Sequence, residues 1–286
     1  MEKTAVLTDS GTGLTQKEAQ EAGLFFLPLQ VLHEDRQYLD GVSIQLHEVY
    51  DLLKQQAKLT TSMPPIGLVE ETLTKIKEAG YDSIICIPIT SGLSSSMALI
   101  QATAEEIGIK VHLIDCYSTC YLQRYLAMCA KQLADQGIAA EEIVKRLNDS
   151  IASSNTLIIP DDLQHLKRGG RLTPVAAALG GLLKIKPLLQ LNQLCEGKID
   201  VYDKVRTMSK AQEKAINTFV NEHVDGDYIC SCLHTDALES GNALKEKLQA
   251  ALPNTEIYFG YIGAVISVHT GIGCLGIQYM KKVAGC

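Results

Sequence analysis

Short apolar runs alternate with polar, glycine-bearing turns along the first half of the chain, and their spacing switches between strand-like and helical. Residues 4–8 form a β-prone run that ends at Asp9-Ser10-Gly11, a turn cluster. A second apolar run covers residues 24–32. Leu46, Val49, Tyr50 and Leu53 fall at helical intervals within residues 45–57, and a loop is expected at residues 60–65, which end in Pro64-Pro65. Pro65 stands where a helix can begin, and residues 66–79 keep apolar side chains at helical spacing. Residues 83–89 (Ser-Ile-Ile-Cys-Ile-Pro-Ile) are almost continuously apolar, the pattern of a parallel strand buried on both faces. A helix follows through residue 107, then a strand at 110–115 and helices at 119–136 and 140–153.

This alternation predicts an α/β fold: an N-terminal open parallel sheet with helices on both faces. Ligands of such sheets sit beyond the carboxyl ends of the strands, where Asp9-Ser10, Ser91 to Ser96 and Asp115 are all expected. The rhythm changes near Ser154. Strands at 157–160, 185–191, 199–205, 228–233, 256–259 and 274–279, with helices at 161–167, 209–223 and 237–252, predict a second, α+β domain. The expected domains are 1–153 and 154–286, with a ligand held between them.

No apolar run reaches the roughly 20 residues needed to cross a bilayer. The best candidates, residues 24–32 and 174–183, are short and broken by Pro, Gln or Gly. The N-terminus leads straight into a strand, so a cytoplasmic protein is expected. Nine cysteines without framework spacing are expected to be reduced thiols. A net charge of −7, no Trp and four Phe argue against duplex or single-stranded nucleic acid as a partner. Charge is uneven, however: residues 160–210 carry nine basic and five acidic side chains, a local positive field suited to an anionic ligand or an acidic partner.

Candidate chemistry gathers at hydroxyls. Ser94, Ser95 and Ser96 open a helix directly after a buried strand, where free N–H groups favour an anion; Ser also caps helices routinely. Thr61 and Ser62 offer further hydroxyls ahead of Met63-Pro64. His269 and Thr270, followed by Gly271-Ile272-Gly273, mark a place where backbone approaches something closely. Lys167-Arg168-Gly169-Gly170-Arg171 reads either as a basic helix end or as part of an anion site. A serine hydrolase using Ser94 with His269 as base is an alternative, but Gly92-Leu93-Ser94-Ser95-Ser96 lacks the second Gly of a nucleophile elbow. Cys230, Cys232 and His234 alternate on one strand without an evident fourth ligand, so no metal site is expected. No phosphate-cradling or dinucleotide motif occurs, and no cofactor is expected.

Thr8-Asp9-Ser10, Thr61-Ser62-Met63-Pro64, Ser91-Gly92-Leu93-Ser94, Leu166 to Arg171, Lys186-Pro187, Lys204-Val205-Arg206-Thr207 and His269 to Gly273 occur in this order along the chain. Together they resemble the DegV family of bacterial fatty-acid-binding proteins, including the FakB subunits of fatty acid kinase. The resemblance spans essentially the whole chain. It implies a two-domain carrier, not itself an enzyme, that holds one long-chain fatty acid such as palmitate with its tail buried. Thr61 and Ser94 would hydrogen-bond the carboxylate, with Ser62, Ser95, His269, Thr270, Arg171 and Arg206 nearby. An ATP-dependent fatty acid kinase subunit would be the partner. The chain departs from the family pattern at Gly13 and across residues 115–123, where bulkier residues replace a glycine-rich segment and would reshape the acyl tunnel. A small-anion-binding regulator is the remaining alternative.

Overall fold

The computed structural model describes residues 3–179 and 185–286. Lys184 of the basic stretch and the end of the apolar run 174–183 lie outside the described residues. The N-terminal half runs β1 (Thr4–Asp9), α1 (Gln16–Glu21), β2 (Phe25–Leu27), β3 (Gln30–His33), β4 (Arg36–Leu39), α2 (Leu46–Lys54), β5 (Leu59–Ser62), α3 (Ile66–Glu78), β6 (Ser83–Ile87), α4 (Ser96–Ile107), β7 (Lys110–Leu113), α5 (Cys120–Asp135) and α6 (Ala140–Ile151). The C-terminal half continues with β8 (Asn155–Ile159), α7 (Leu163–Arg168), α8 (Pro174–Leu179), β9 (Lys186–Leu191), β10 (Asp200–Val205), α9 (Met208–Asn221), β11 (Tyr228–His234), α10 (Leu238–Ala251), β12 (Ile257–Tyr261), α11 (Ala264–Thr270) and β13 (Leu275–Lys281).

Strands β2-β1-β6-β7 form a four-stranded, wholly parallel sheet, as the alternating pattern predicts. Its unbroken apolar strands are explained by two separate cores. Val6, Ile85 and Ile87 pack on one face with Leu122, Leu126 and Leu147 of α5 and α6. Ala5, Leu7, Ile84 and Cys86 pack on the other with Leu73 and Ile76 of α3 and Ile100 of α4. In the C-terminal half a mixed six-stranded sheet has the order β10-β9-β8-β13-β11-β12. Its outer face packs Leu157, Ile159 and Cys232 against α9 and α10. Its inner face, with Ile158, Leu189, Leu191 and Leu233, turns toward the N-terminal half.

Several elements differ from the sequence reading. The single apolar run 24–32 is split between β2 and β3, which belong to different sheets. Residues 59–62, expected as part of a loop, form strand β5 of a small antiparallel sheet β4-β3-β5. Its half-polar sequence and the following Pro64-Pro65 hide it, because a strand on this edge buries only alternate residues. The β-branched run ahead of His269 is helix α11, buried nearly all round because it lies between the two halves. The thiols are not all free: Cys129 and Cys286 are joined in a disulfide, so the expectation of nine reduced cysteines fails there. At a sequence separation of 157, no local spacing signals the pair. Among the described residues no helix is long and apolar enough to cross a membrane.

Candidate functional site

The carboxyl end of β1 is built around Asp9. Its buried carboxylate accepts from the N–H groups of Gly11 and Ile89 (2.9 Å each) and from Gln123 Nε2 (2.8 Å). Burial pushes its pKa up to about 6 despite those hydrogen bonds. Asp9 thus ties β1, the end of β6 and α5 together. It is a brace under the site rather than a wall of it.

Above this brace lies a cavity of about 380 Å³ between the two halves of the molecule. Thr61 and Ser62 reach it from β5, Ser91 to Ser95 from the β6–α4 loop, Arg171 from the turn after α7, and His269 and Thr270 from the end of α11. The structure therefore brings together seven of the eight site residues expected from sequence. Arg206 is the exception: it is exposed just before α9 and does not line the cavity. Leu29, Met63, Ile89, Val265 and Ile266 add an apolar wall that no motif marks.

Proton positions follow from the partners of His269. Its Nδ1 lies 3.0 Å from the Gly169 carbonyl, which only accepts, so Nδ1 carries the proton. Its Nε2 lies 2.7 Å from Thr61 Oγ1. Burial, reinforced by the Arg171 charge, lowers its pKa to about 4, so the ring is neutral and Nε2 accepts from the Thr61 hydroxyl. Gly169 permits this contact, because a Cβ there would come within 2.9 Å of His269 Nδ1. On the opposite wall, Ser94 Oγ is 2.8 Å from Ser96 Oγ and accepts from the Ser96 N–H at 3.2 Å. Ser94, one residue before the N-cap Ser95, thus holds the first N–H of α4 while facing the cavity.

The serine loop is clamped from both sides. Asp115 accepts from the Ser91 hydroxyl (2.5 Å) and the Ser91 N–H (3.2 Å). Across the divide, Gly92 packs against the backbone of Gly197 in the β9–β10 turn so closely that a Cβ on either would overlap its neighbour. Arg171 donates to the carbonyls of Gly169 (2.8 Å) and Leu93 (3.4 Å). Among the described residues it has no carboxylate partner within ion-pair distance. A half-buried guanidinium of this kind leaves an uncancelled positive charge at a cavity rich in hydroxyls. An oxyanion fits that arrangement.

Ser94 and His269, the pair a serine hydrolase would need, are not bonded to each other: Ser94 is bonded to Ser96, and the two nitrogens of His269 are engaged by Thr61 and Gly169. Cys230 and Cys232 are buried in the core and desolvation pushes their thiols up to about 12, while His234 Nδ1 accepts from the Ala237 N–H. No three potential ligands converge to hold a metal among the described residues.

Deeper in, Leu93, Ile199, Ile266 and Thr270 line both this cavity and a second, smaller one of about 40 Å³. Cys120, Ile158, Leu191, Leu233 and Ile262 also line that inner sleeve, together with Thr119, Thr156, Gly276 and Gln278, and its accessible wall is apolar. On the outer side, Arg171 and His269 also border an open groove of about 690 Å³ that carries Lys58, His165 and Arg168, the last paired with Asp162 at 3.9 Å. The fold and site together define an α/β protein of two large sheets and one small one, with a polar chamber beside an apolar interior.

A family model described as "Uncharacterised protein, DegV family" matches residues 3–282, and the chain belongs to that family. It is 32% identical to a DegV domain-containing protein of Streptococcus pneumoniae, over 98% of this chain and all of the relative. It is also 32% identical to Protein DegV of Bacillus subtilis, over 97% of this chain and 99% of that one. Among solved structures, DegV of Bacillus subtilis, described as a fatty acid binding protein, superposes with a TM-score of 0.88 at 30% identity, covering 99% of this chain and 100% of that one. A fatty acid binding DegV family protein of Streptococcus agalactiae gives a TM-score of 0.89 at 28% identity over the same shares of the two chains.

Proposed function

We propose that this protein binds one long-chain fatty acid between two domains, residues 1–153 and 154–286, and carries it without transforming it. The observation that carries this reading is the position of the hydroxyl-lined chamber directly against the apolar sleeve, with Leu93, Ile199, Ile266 and Thr270 lining both. The fatty-acid binding described for the relatives from Bacillus subtilis and Streptococcus agalactiae supports it. At about 0.8 kcal/mol per buried CH₂, a palmitate tail contributes on the order of 12 kcal/mol as an upper limit. A hydroxyl bonded to the charged head group adds only about 1.5–3 kcal/mol. The tail therefore provides affinity, and Thr61 and Ser94 provide orientation.

When the carboxylate arrives, the Thr61 proton turns from His269 to the ligand, and Ser94 donates from the other side. Arg171 supplies charge without a second acidic group to compete. The outer groove with Lys58, Arg168 and Arg171 suits a more highly charged group than a carboxylate. On this reading the carboxylate is presented there to an ATP-dependent fatty acid kinase subunit, which makes the acyl phosphate. Native mass spectrometry of the protein as isolated tests the central claim: a bound fatty acid is expected, released on denaturation. A protein that arrives empty and takes up neither palmitate nor oleate overturns it. Turnover of fatty acid with ATP and Mg²⁺ by this chain alone overturns the carrier reading.

A further inference from the structure

Beyond the sleeve lies a third cavity of about 260 Å³, on the side away from His269. Leu233 is the single side chain that lines both. Around it the chain changes sides within one residue: Cys120 and Ile262 face the sleeve, whereas Tyr121 and Gly263 face the far cleft. Tyr121 from α5 and Tyr258 from β12 stack across the two halves of the molecule, with ring centroids 4.1 Å apart and planes within 6°. Both pack in the same apolar cluster as Leu233, Ile158 and Ile262. Glu18 in this cleft is exposed, Arg124 is half-buried like the two tyrosines and Asp40 is buried, so the aromatic platform shares the cleft with polar groups.

We propose that Leu233 is the end stop of the acyl tunnel and that the Tyr121–Tyr258 platform behind it is an overflow subsite for longer chains; this rests on the fatty-acid reading above. Leu233 is 2% exposed and sits in β11, whose backbone is paired with β12 on one side and β13 on the other. A strand held on both edges does not retreat before a ligand. The depth of the sleeve is then set by the size of this one side chain. Shortening it joins the sleeve to the aromatic end of the far cleft; enlarging it fills the sleeve from the back. Each methylene admitted to an apolar site strengthens binding by about fourfold, so a one-residue change in depth is readable as chain-length selectivity.

The test loads the full-length protein and the variants Leu233→Ala and Leu233→Phe with an equimolar mixture of laurate, palmitate and arachidate, and reads the bound species by native mass spectrometry. Relative to wild type, Leu233→Ala is expected to raise the arachidate-to-palmitate ratio at least fourfold, and Leu233→Phe to raise the laurate-to-palmitate ratio by as much. Adding Tyr258→Ala to Leu233→Ala should remove most of the arachidate gain. If Leu233→Ala does not fold, the laurate shift of Leu233→Phe decides. Folded variants that load fatty acid with the wild-type ratios overturn the end stop while leaving the carrier reading intact. Wild-type protein that binds none of the three overturns the carrier reading itself.

Discussion

The chamber at His269 and the far cleft at Tyr121 flank the same apolar sleeve, yet their charges differ. The chamber holds hydroxyls, a neutral imidazole and the unopposed Arg171. The far cleft holds Glu18 and the buried Asp40 beside Arg124. A fatty acid entering head-first toward the cleft would meet two acidic groups, whereas the chamber offers donors and one positive charge. On the fatty-acid reading proposed above, the difference gives the sleeve a direction: carboxylate toward His269, tail toward Leu233. On that reading the polarity of binding comes both from the charges at the two ends and from Leu233 closing the far one.

The largest break in this comparison is a charge in the passage they share. Ile266→Asp puts a carboxylate where the chamber meets the sleeve, and fatty-acid affinity should fall by more than about 100-fold, a cost of roughly 3 kcal/mol or more. Titration with a fluorescent fatty acid checks it, with the melting temperature of the unliganded variant confirming the fold. Thr61→Ala and Ser94→Ala should each weaken binding by about 1–3 kcal/mol, since each removes a donor to a charged group. Both variants should also lower the unliganded melting temperature, Ser94→Ala through loss of its bond to the Ser96 N–H at the start of α4 and Thr61→Ala by leaving the buried His269 Nε2 without its donor. Unchanged affinity in both variants would move the carboxylate elsewhere.

Arg171→Ala should cost less for free fatty acid than for turnover by an added kinase subunit, because a half-exposed charge acts mainly on association rate and salt dependence. Equal losses in both assays would place Arg171 on the carboxylate alone. The smallest effect is on stability at the far cleft. Burial, with repulsion from Asp9, raises Asp40 to about 7 in spite of hydrogen bonds from Ser10 and Val265. The folded state therefore holds this proton more tightly than the unfolded chain does. The stability it contributes is complete below the ordinary carboxylate range and is lost as pH rises through about 7. Asp40→Asn should remove the fall in stability that Asp40 contributes between about pH 4 and 7, read as the difference in melting temperature between wild type and variant across that range. His269, whose lowered pKa makes stability rise with pH between about 4 and 6.5, is common to both proteins and cancels in that difference. An identical slope in the variant would show that Asp40 does not titrate there.

Much of this was legible in the sequence because it rests on local patterns. The run Ser-Ile-Ile-Cys-Ile needs helices on both faces whatever surrounds it, and two cores cover it. Ser94 after such a strand, and His269 ahead of Gly271, also marked the chamber. Arg206 shows the limit, since its basic motif is adjacent to the site in sequence pattern but points to solvent in the fold. Strand β5 was hidden because a sheet edge buries alternate residues only, and Cys129–Cys286 because cross-links between distant segments leave no spacing.

What the sequence by itself determined is the class of each element and the kind of chemistry: parallel strands buried on both faces, hydroxyls at a helix start, and a locally positive second half. Only the tertiary structure decided which donors share one chamber, which proton Thr61 and His269 exchange, and that Leu233 divides two cavities. The reason is physical. Periodicity records whether a side chain faces water or protein, which each residue settles with its near neighbours. A binding site is set by distances between elements far apart in the chain, and those depend on how whole faces pack.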